Sequence, residues 1–222
     1  MAFSFKAFEA RVSGNTELCA EGNYKIYSPG DVIISEAEKG DNVFFILKGR
    51  VKVTNFSSKG REVFHNELIA GQTFGEMAAI SGQPRIACVI AKSETEVATV
   101  TRAQFMGLLR KHPDFALWIM ESLVERLNVS TQKTYALVSQ SIPMRVRGEL
   151  IRLCEAHPSG GRDNVIIFEP APNFSELAKR INTDRENVSR EVSALARIGL
   201  TERTQDYLKI LDLQGLRDVS PL

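Results

Sequence analysis

Cysteine is scarce in this chain, and the three present, Cys19, Cys88 and Cys154, are too widely separated for a zinc site, a disulfide framework or a CxxC redox pair. They are expected to behave as small buried hydrophobes. Long apolar runs are missing too. Met1 to Arg11 is not a signal-like stretch, and no segment approaches the roughly 18 residues of a membrane helix, so a cytoplasmic location and no membrane partner are expected. A charge imbalance is also absent: the net charge is +1, and Pro143 to Leu222 carries 12 basic and 12 acidic residues. Bulk attraction therefore does not announce nucleic acid, and any DNA contact must rest on where individual charges are placed. His65, His112 and His157 are isolated, which argues against a metal or haem site. With no paired acids, metal cluster or nucleophile–base pattern, nothing points to an enzyme. What the 222 residues do supply is 43% hydrophobic content, enough to bury a core in one large or two small domains.

From Tyr24 to about Thr101 the chain consists of short β-type runs: Val43 to Leu47, Val51 to Phe56, Arg61 to Leu68, Ala87 to Ala91 and Glu96 to Val100. Gly30, Gly40, Gly49, Gly60 and Gly71 punctuate them at near-regular intervals, as in an antiparallel roll or sandwich. The period changes after Arg102, and Pro113 to about Ser141 lacks interior Gly or Pro and reads as one long helix. Ala116, Met120, Leu123, Leu127, Ser130, Thr134, Leu137 and Ser141 form a seam of alternating four- and three-residue steps. Such a seam suits a two-stranded coiled coil and hence a homodimer; the alternative is a helix that packs on its own β-domain.

Ser141-Ile142-Pro143 breaks the helix and is a candidate hinge. Beyond it the pattern predicts a helix over about Arg145 to Ala156, a loop over His157 to Asn164 and a strand over Val165 to Phe168. Two short helices follow, then two strand-like runs around Thr204-Gln205-Asp206, the order of a winged helix-turn-helix.

The sharpest N-terminal signal is Phe74-Gly75-Glu76-Met77-Ala78-Ala79-Ile80-Ser81-Gly82-Gln83-Pro84-Arg85-Ile86-Ala87. Free backbone N–H groups at the start of a short helix can hold a phosphate, Gly75 permits close approach, and Arg85 offers a forked pair of donors. Glu76 then needs another partner, for which a ribose hydroxyl is suitable; a plain Arg85–Glu76 salt bridge is the alternative. This stretch resembles the phosphate-binding cassette of cyclic-nucleotide-binding domains. The resemblance implies that Glu76 takes the ribose 2′-hydroxyl, that Arg85 takes the cyclic phosphate, and that Gly75, Met77, Ile86 and Ala87 lend backbone or wall contacts. Ile86 stands where several bacterial relatives have Ser, which removes one hydroxyl contact to the phosphate.

Arg126-Leu127-Asn128-Val129-Ser130-Thr131 resembles the helix segment that faces the nucleotide in cyclic-AMP receptor regulators. It implies that Arg126 supports the ribose-phosphate end and that Ser130 and Thr131 bond the base, one from each subunit. The alternative is that both are polar residues that set the register of a coiled coil.

Asn173-Phe174-Ser175-Glu176 has the form of a helix-starting box, and Leu177, Ala178 and Ile181 give the next helix an apolar face. Asn182 tolerates a left-handed turn, Thr183 or Asp184 can cap the second helix, and Val188, Val192 and Leu195 share one side of it before Gly199. Arg185, Glu186, Ser189, Arg190 and Ser193 occupy the opposite side, a layout for reading base edges in the major groove. Asn173 and Asn187 are candidates for phosphate contacts. Arg185-Glu186-x-x-Ser189-Arg190 resembles the recognition helix of the cyclic-AMP receptor and FNR regulator family, with Arg185 pointing to the cyclic-AMP branch.

The fold class expected is thus α+β: a jelly-roll-like cyclic-nucleotide-binding β-roll over 1–112, a dimerisation helix over 113–141 and a winged helix-turn-helix over 142–222. By resemblance the ligand is cyclic AMP (cAMP), with cyclic GMP (cGMP) possible, and no metal is needed. The partners are double-stranded DNA with TGTGA-like half-sites, a second copy of the chain and RNA polymerase. A regulatory module that controls another protein is the competing reading, but it has no use for a recognition helix.

Overall fold

The computed structural model describes residues 24–58, 60, 62–158 and 164–218; Cys19, Arg61 and the centre of the His157 to Asn164 loop lie outside them. The chain divides into two compact units, one up to Leu127 and one from Asn128.

In the first unit, two four-stranded antiparallel sheets are built from β1 (Tyr24–Tyr27), β2 (Val32–Ile34), β3 (Val43–Lys48), β4 (Arg50–Phe56), β5 (Glu62–Ile69), β6 (Thr73–Phe74), β7 (Cys88–Ala91) and β8 (Thr95–Val100). Their orders are β1-β8-β3-β6 and β2-β7-β4-β5. Period-two alternation in β3 decides which face each residue covers. Phe44 and Ile46 join Phe74 and Val97 against Ile34, Val51, Leu68 and Val89 of the other sheet. Val43 and Phe45 face the opposite way, onto a layer that contains Ala79, Phe105, Leu108, Phe115 and Ile119. That layer is helical: α1 (Glu76–Ser81), α2 (Arg102–Lys111) and the first half of α3 (Pro113–Ser139).

Helix α2 is an element beyond the predicted set. Its signal was present in the sequence, because Thr101 and Gln104 form a reciprocal capping box and Arg110 and Lys111 occupy the last turn. The predicted seam on α3 also needs correction. Leu123 packs against the unit's own core, and Ala116 is half-buried. The exposed apolar line runs through Leu117, Met120, Val124, Leu127 and Val138, with Tyr135 and Leu137 beside it. Phe115 and Ile119 are buried on the other side. One helix therefore serves both readings, packing on its own β-sheet and leaving an apolar line outward, and only part of the expected seam lies on that line.

The second unit holds α4 (Ile142–Glu155), β9 (Ile166–Phe168), α5 (Phe174–Arg180), α6 (Arg185–Arg197), β10 (Thr201–Arg203), β11 (Leu208–Ile210) and α7 (Leu213–Asp218), with sheet order β10-β11-β9. Helix α4 starts three residues earlier than expected. Ser141 caps it and Pro143 lies in its first turn, where a missing N–H costs nothing, so the break also begins the next helix. The two wing strands follow the expected order, while α7 adds Leu213 and Leu216 to a core of Val146, Leu150, Leu177, Val188, Val192 and Leu195. Cys154 is fully buried in that core, and burial pushes its thiol pKa up to about 11. Among the described residues no helix is long and apolar enough to cross a membrane, and no group of three or more His, Cys, Asp or Glu could hold a metal ion.

Candidate nucleotide pocket and DNA-reading helix

The cassette is laid out by the turn from β6 into α1. Gly75 takes φ +85°, and a Cβ there would lie 2.8 Å from both the Asn42 carbonyl and Arg85 Nη1. Only glycine meets that turn and that crowding together. The next residue, Glu76, is 2% exposed. Its Oε1 accepts from Arg126 Nη1 at 2.9 Å, and Arg126 also donates through Nη2 to the Thr73 carbonyl at 2.6 Å. Glu76 Oε2 is buried with no partner.

Arg85 is 6% exposed. It donates through Nη1 to the Gly75 carbonyl at 2.8 Å and through Nη2 to the Asn42 carbonyl at 2.7 Å. A simple Arg85–Glu76 salt bridge is therefore not what forms; Glu76 pairs with Arg126. Burial lowers the pKa of Arg85, while Glu38, Asp41 and Glu76 oppose the change. The backbone of Arg85 is held as well, since its N–H donates to Glu38 and its carbonyl accepts from Ala37. Ala87 is nearly buried, whereas Met77 and Ile86 are exposed beside it. Asn55 Nδ2 donates to the Ile86 carbonyl at 2.9 Å.

The structure thus gathers Gly75, Glu76, Met77, Arg85, Ile86, Ala87 and Arg126 in one region. Ser130 and Thr131 are exposed on α3 in the second unit. Asn42, Thr73 and Ser122, which bonds Arg126 at 3.3 Å, were missed in the sequence. Two of these act through backbone carbonyls, which no side-chain motif reports. Ser122 stands four residues before Arg126, a helical spacing that could have flagged it.

Burial raises the pKa of Glu76, and Arg126 and Arg85 only partly oppose it. Above the ordinary 4.5 the native state then holds the proton more tightly than the unfolded chain. The resulting stability is full below the unfolded pKa and is lost as pH rises through the folded one. Melting temperatures measured from pH 4.5 upward should accordingly fall less steeply for Glu76→Gln than for the wild type. Parallel curves for the two proteins would show that Glu76 does not titrate in this way.

In the second unit the Asn173 carboxamide accepts from the N–H groups of Ser175 and Glu176, which starts α5. Asn182 adopts φ 50°, the expected left-handed turn. Asp184 occupies the N-cap position of α6. Val188, Val192 and Leu195 are buried, whereas Arg185, Glu186 and Arg190 are exposed on the other side. Ser189 is half-buried, and its carbonyl accepts from Ser193. Asn187 is engaged within the protein: Nδ2 donates to Thr183 Oγ1 at 3.0 Å and Oδ1 accepts from Arg190 Nη1 at 3.2 Å. That bond ties Arg190 to its own helix and leaves its other guanidinium N–H groups available.

A β-roll with a cassette of this kind, carried on the same chain as a winged helix-turn-helix, defines a cyclic-nucleotide-binding transcription regulator. Residues 24–112 match the model of the cyclic nucleotide-binding domain and residues 145–219 that of the Crp-like helix-turn-helix domain. The chain belongs to the CRP/FNR family of transcription regulators. It is 28% identical over 193 residues to the cAMP-activated global transcriptional regulator Vfr of Pseudomonas aeruginosa, covering 83% of this chain and 87% of Vfr. To the cAMP-activated global transcriptional regulator CRP of Salmonella typhimurium it is 26% identical over 175 residues, covering 76% and 80%. The fold resembles that of a CooA mutant from Carboxydothermus hydrogenoformans, with TM-score 0.72, 22% identity and coverage of 88% and 86%. It also resembles a CprK mutant complexed with OCPA, with TM-score 0.74, 14% identity and coverage of 95% and 93%.

Proposed function

We propose that this chain is a cAMP-responsive dimeric transcription factor that reads a palindrome of TGTGA-like half-sites. The observation that carries the ligand reading is a cluster of unmet polar demand. Among the described residues six have buried side-chain atoms without a hydrogen-bond partner, and four of these, Thr73, Glu76, Arg85 and Arg126, belong to the cassette region. Such orphans are costly unless something completes them. Glu76 Oε2 suits a ribose 2′-hydroxyl donor, and the remaining N–H groups of Arg85 suit the cyclic phosphate. Gly75, Met77, Ile86 and Ala87 line the same place, Arg126 acts through Glu76, and Ser130 and Thr131 are assigned to the base. Cyclic AMP is preferred because the curated relatives Vfr and CRP are described as cAMP-activated.

Residues 113–141 are assigned to dimerisation, supported by the exposed apolar line on α3. A two-fold dimer places two α6 helices about 34 Å apart, one DNA turn. Arg185 and Arg190 then fork onto guanines, Glu186 accepts from a cytosine amino group, Ser189 sits between them, and Asn173 and Asn187 face the backbone. RNA polymerase is the further partner in this reading.

Fluorescence anisotropy on a TGTGA palindrome, with cAMP, cGMP or no nucleotide, is the test. Tight binding is expected with cAMP alone. Arg185→Ala and Arg190→Ala should each cost about 1–3 kcal/mol and relax preference at one guanine. Equal activation by cGMP would move the ligand assignment. Mutants that keep every base preference would remove α6 from base reading.

A further inference from the structure

Helix α4 touches both helices of the helix-turn-helix through charged side chains. Arg145 Nη1 donates to the carbonyl of Ile181, the residue that ends α5, at 2.8 Å. Glu149, 9% exposed, is bonded by Arg152 and lies 3.9 Å from Arg180 of α5. Arg147, with a side chain 6% exposed, places Nε 3.0 Å from Oε1 of Glu191, whose side chain is 13% exposed on α6.

Val146 and Leu150 of α4 share one apolar core with Val188, Val192 and Leu195 of α6. Packing of that kind is not directional: residues that are hydrophobic and of about the right size give a fold before they give one unique arrangement. A buried ion pair behaves oppositely. Desolvation cancels much of its attraction, so it adds little net stability, but it penalises any turn or slide that separates the charges. Glu191 follows Arg190 directly, and Ser189, Glu186 and Arg185 lie within two turns of it on the same helix. Whatever fixes its rotation about the helix axis also fixes theirs, and base readout needs tolerances of about 0.5 Å and 10–20°.

We propose that Arg147 and Glu191 are positioning residues for DNA sequence discrimination, setting the rotation of α6 so that its exposed side chains meet base edges. The proposal rests on the reading of α6 as the recognition helix. The experiment uses the full chain with cAMP and four proteins: wild type, Glu191→Leu, the double variant Arg147→Met/Glu191→Leu and the swapped pair Arg147→Glu/Glu191→Arg. Melting temperature is measured beside the ratio of affinities for the selected palindrome and for unrelated DNA.

Glu191→Leu takes the acidic partner from a buried arginine and should melt earlier. In the double variant the melting temperature should hold or rise, non-specific affinity should persist, and the specificity ratio should fall about tenfold, the worth of roughly one base pair. The swapped pair should recover part of that ratio. A double variant that discriminates as well as a discriminating wild type overturns the role of the pair alone. A wild type that does not discriminate overturns the reading of α6 and the proposal with it.

Discussion

Arg85→Leu should weaken cAMP binding by about 3 kcal/mol or more, roughly a hundredfold or greater, in calorimetric titration. The leucine removes the cation expected to meet the cyclic phosphate and offers it no donor in exchange. The variant also bears on the fold, because Arg85 donates to the carbonyls of Gly75 and Asn42 and so joins the start of α1 to the start of β3. Leucine leaves both short of a donor, so the melting temperature of the ligand-free protein should fall too. Arg85→Gln separates the two effects: its amide can serve one carbonyl and preserve part of the stability, but it carries no charge for a phosphate. Unchanged nucleotide affinity in either variant would sink the cassette assignment.

The second large effect is expected at Arg126. Replacing it with Met takes the ion-pair partner from a carboxylate that is 2% exposed. Breaking a buried pair on one side typically costs about 3–5 kcal/mol; because the Arg126 side chain is 22% exposed and partly screened, about 2–4 kcal/mol is expected here. Glu76 responds by binding a proton more readily, since the cation that lowers its pKa is gone while burial still raises it. The variant should therefore recover stability on acidification, and urea titrations near pH 7 and pH 5 check this. Adding Glu76→Gln to Arg126→Met should return most of the loss, because no charge is then left stranded. An Arg126→Met protein as stable as the wild type at neutral pH would mean that the pair contributes nothing.

Local patterns in the chain were legible where one element alone decides them. Asn182 and Gly199 take positive φ at the helix ends where such residues were expected, and Gly75 does so as well. The apolar face of α6 and the charged face opposite it followed from 3.6-residue periodicity, and the strand runs from period two. Helix α2 carries its own start signal in the capping box at Thr101, but it is only 10 residues long and runs up against the longer helix that begins at Pro113. Pro143 suits a helix break and a first helical turn equally well, so local pattern alone does not place the start of α4.

The sequence by itself determined most of the element order, the tight turn at Gly75 and the two faces of α6, because short-range sterics and periodicity act within a few residues of one another. Tertiary structure alone decided which charges meet. Arg126 reaches Glu76 across 50 positions, and Asn42 supplies its carbonyl to Arg85 across 43. One arginine looks like another in a sequence, and a backbone carbonyl leaves no trace there. The outward line of α3 was settled the same way: the helix has apolar residues on more than one side, and only the position of the sheet beneath it shows which side is already covered.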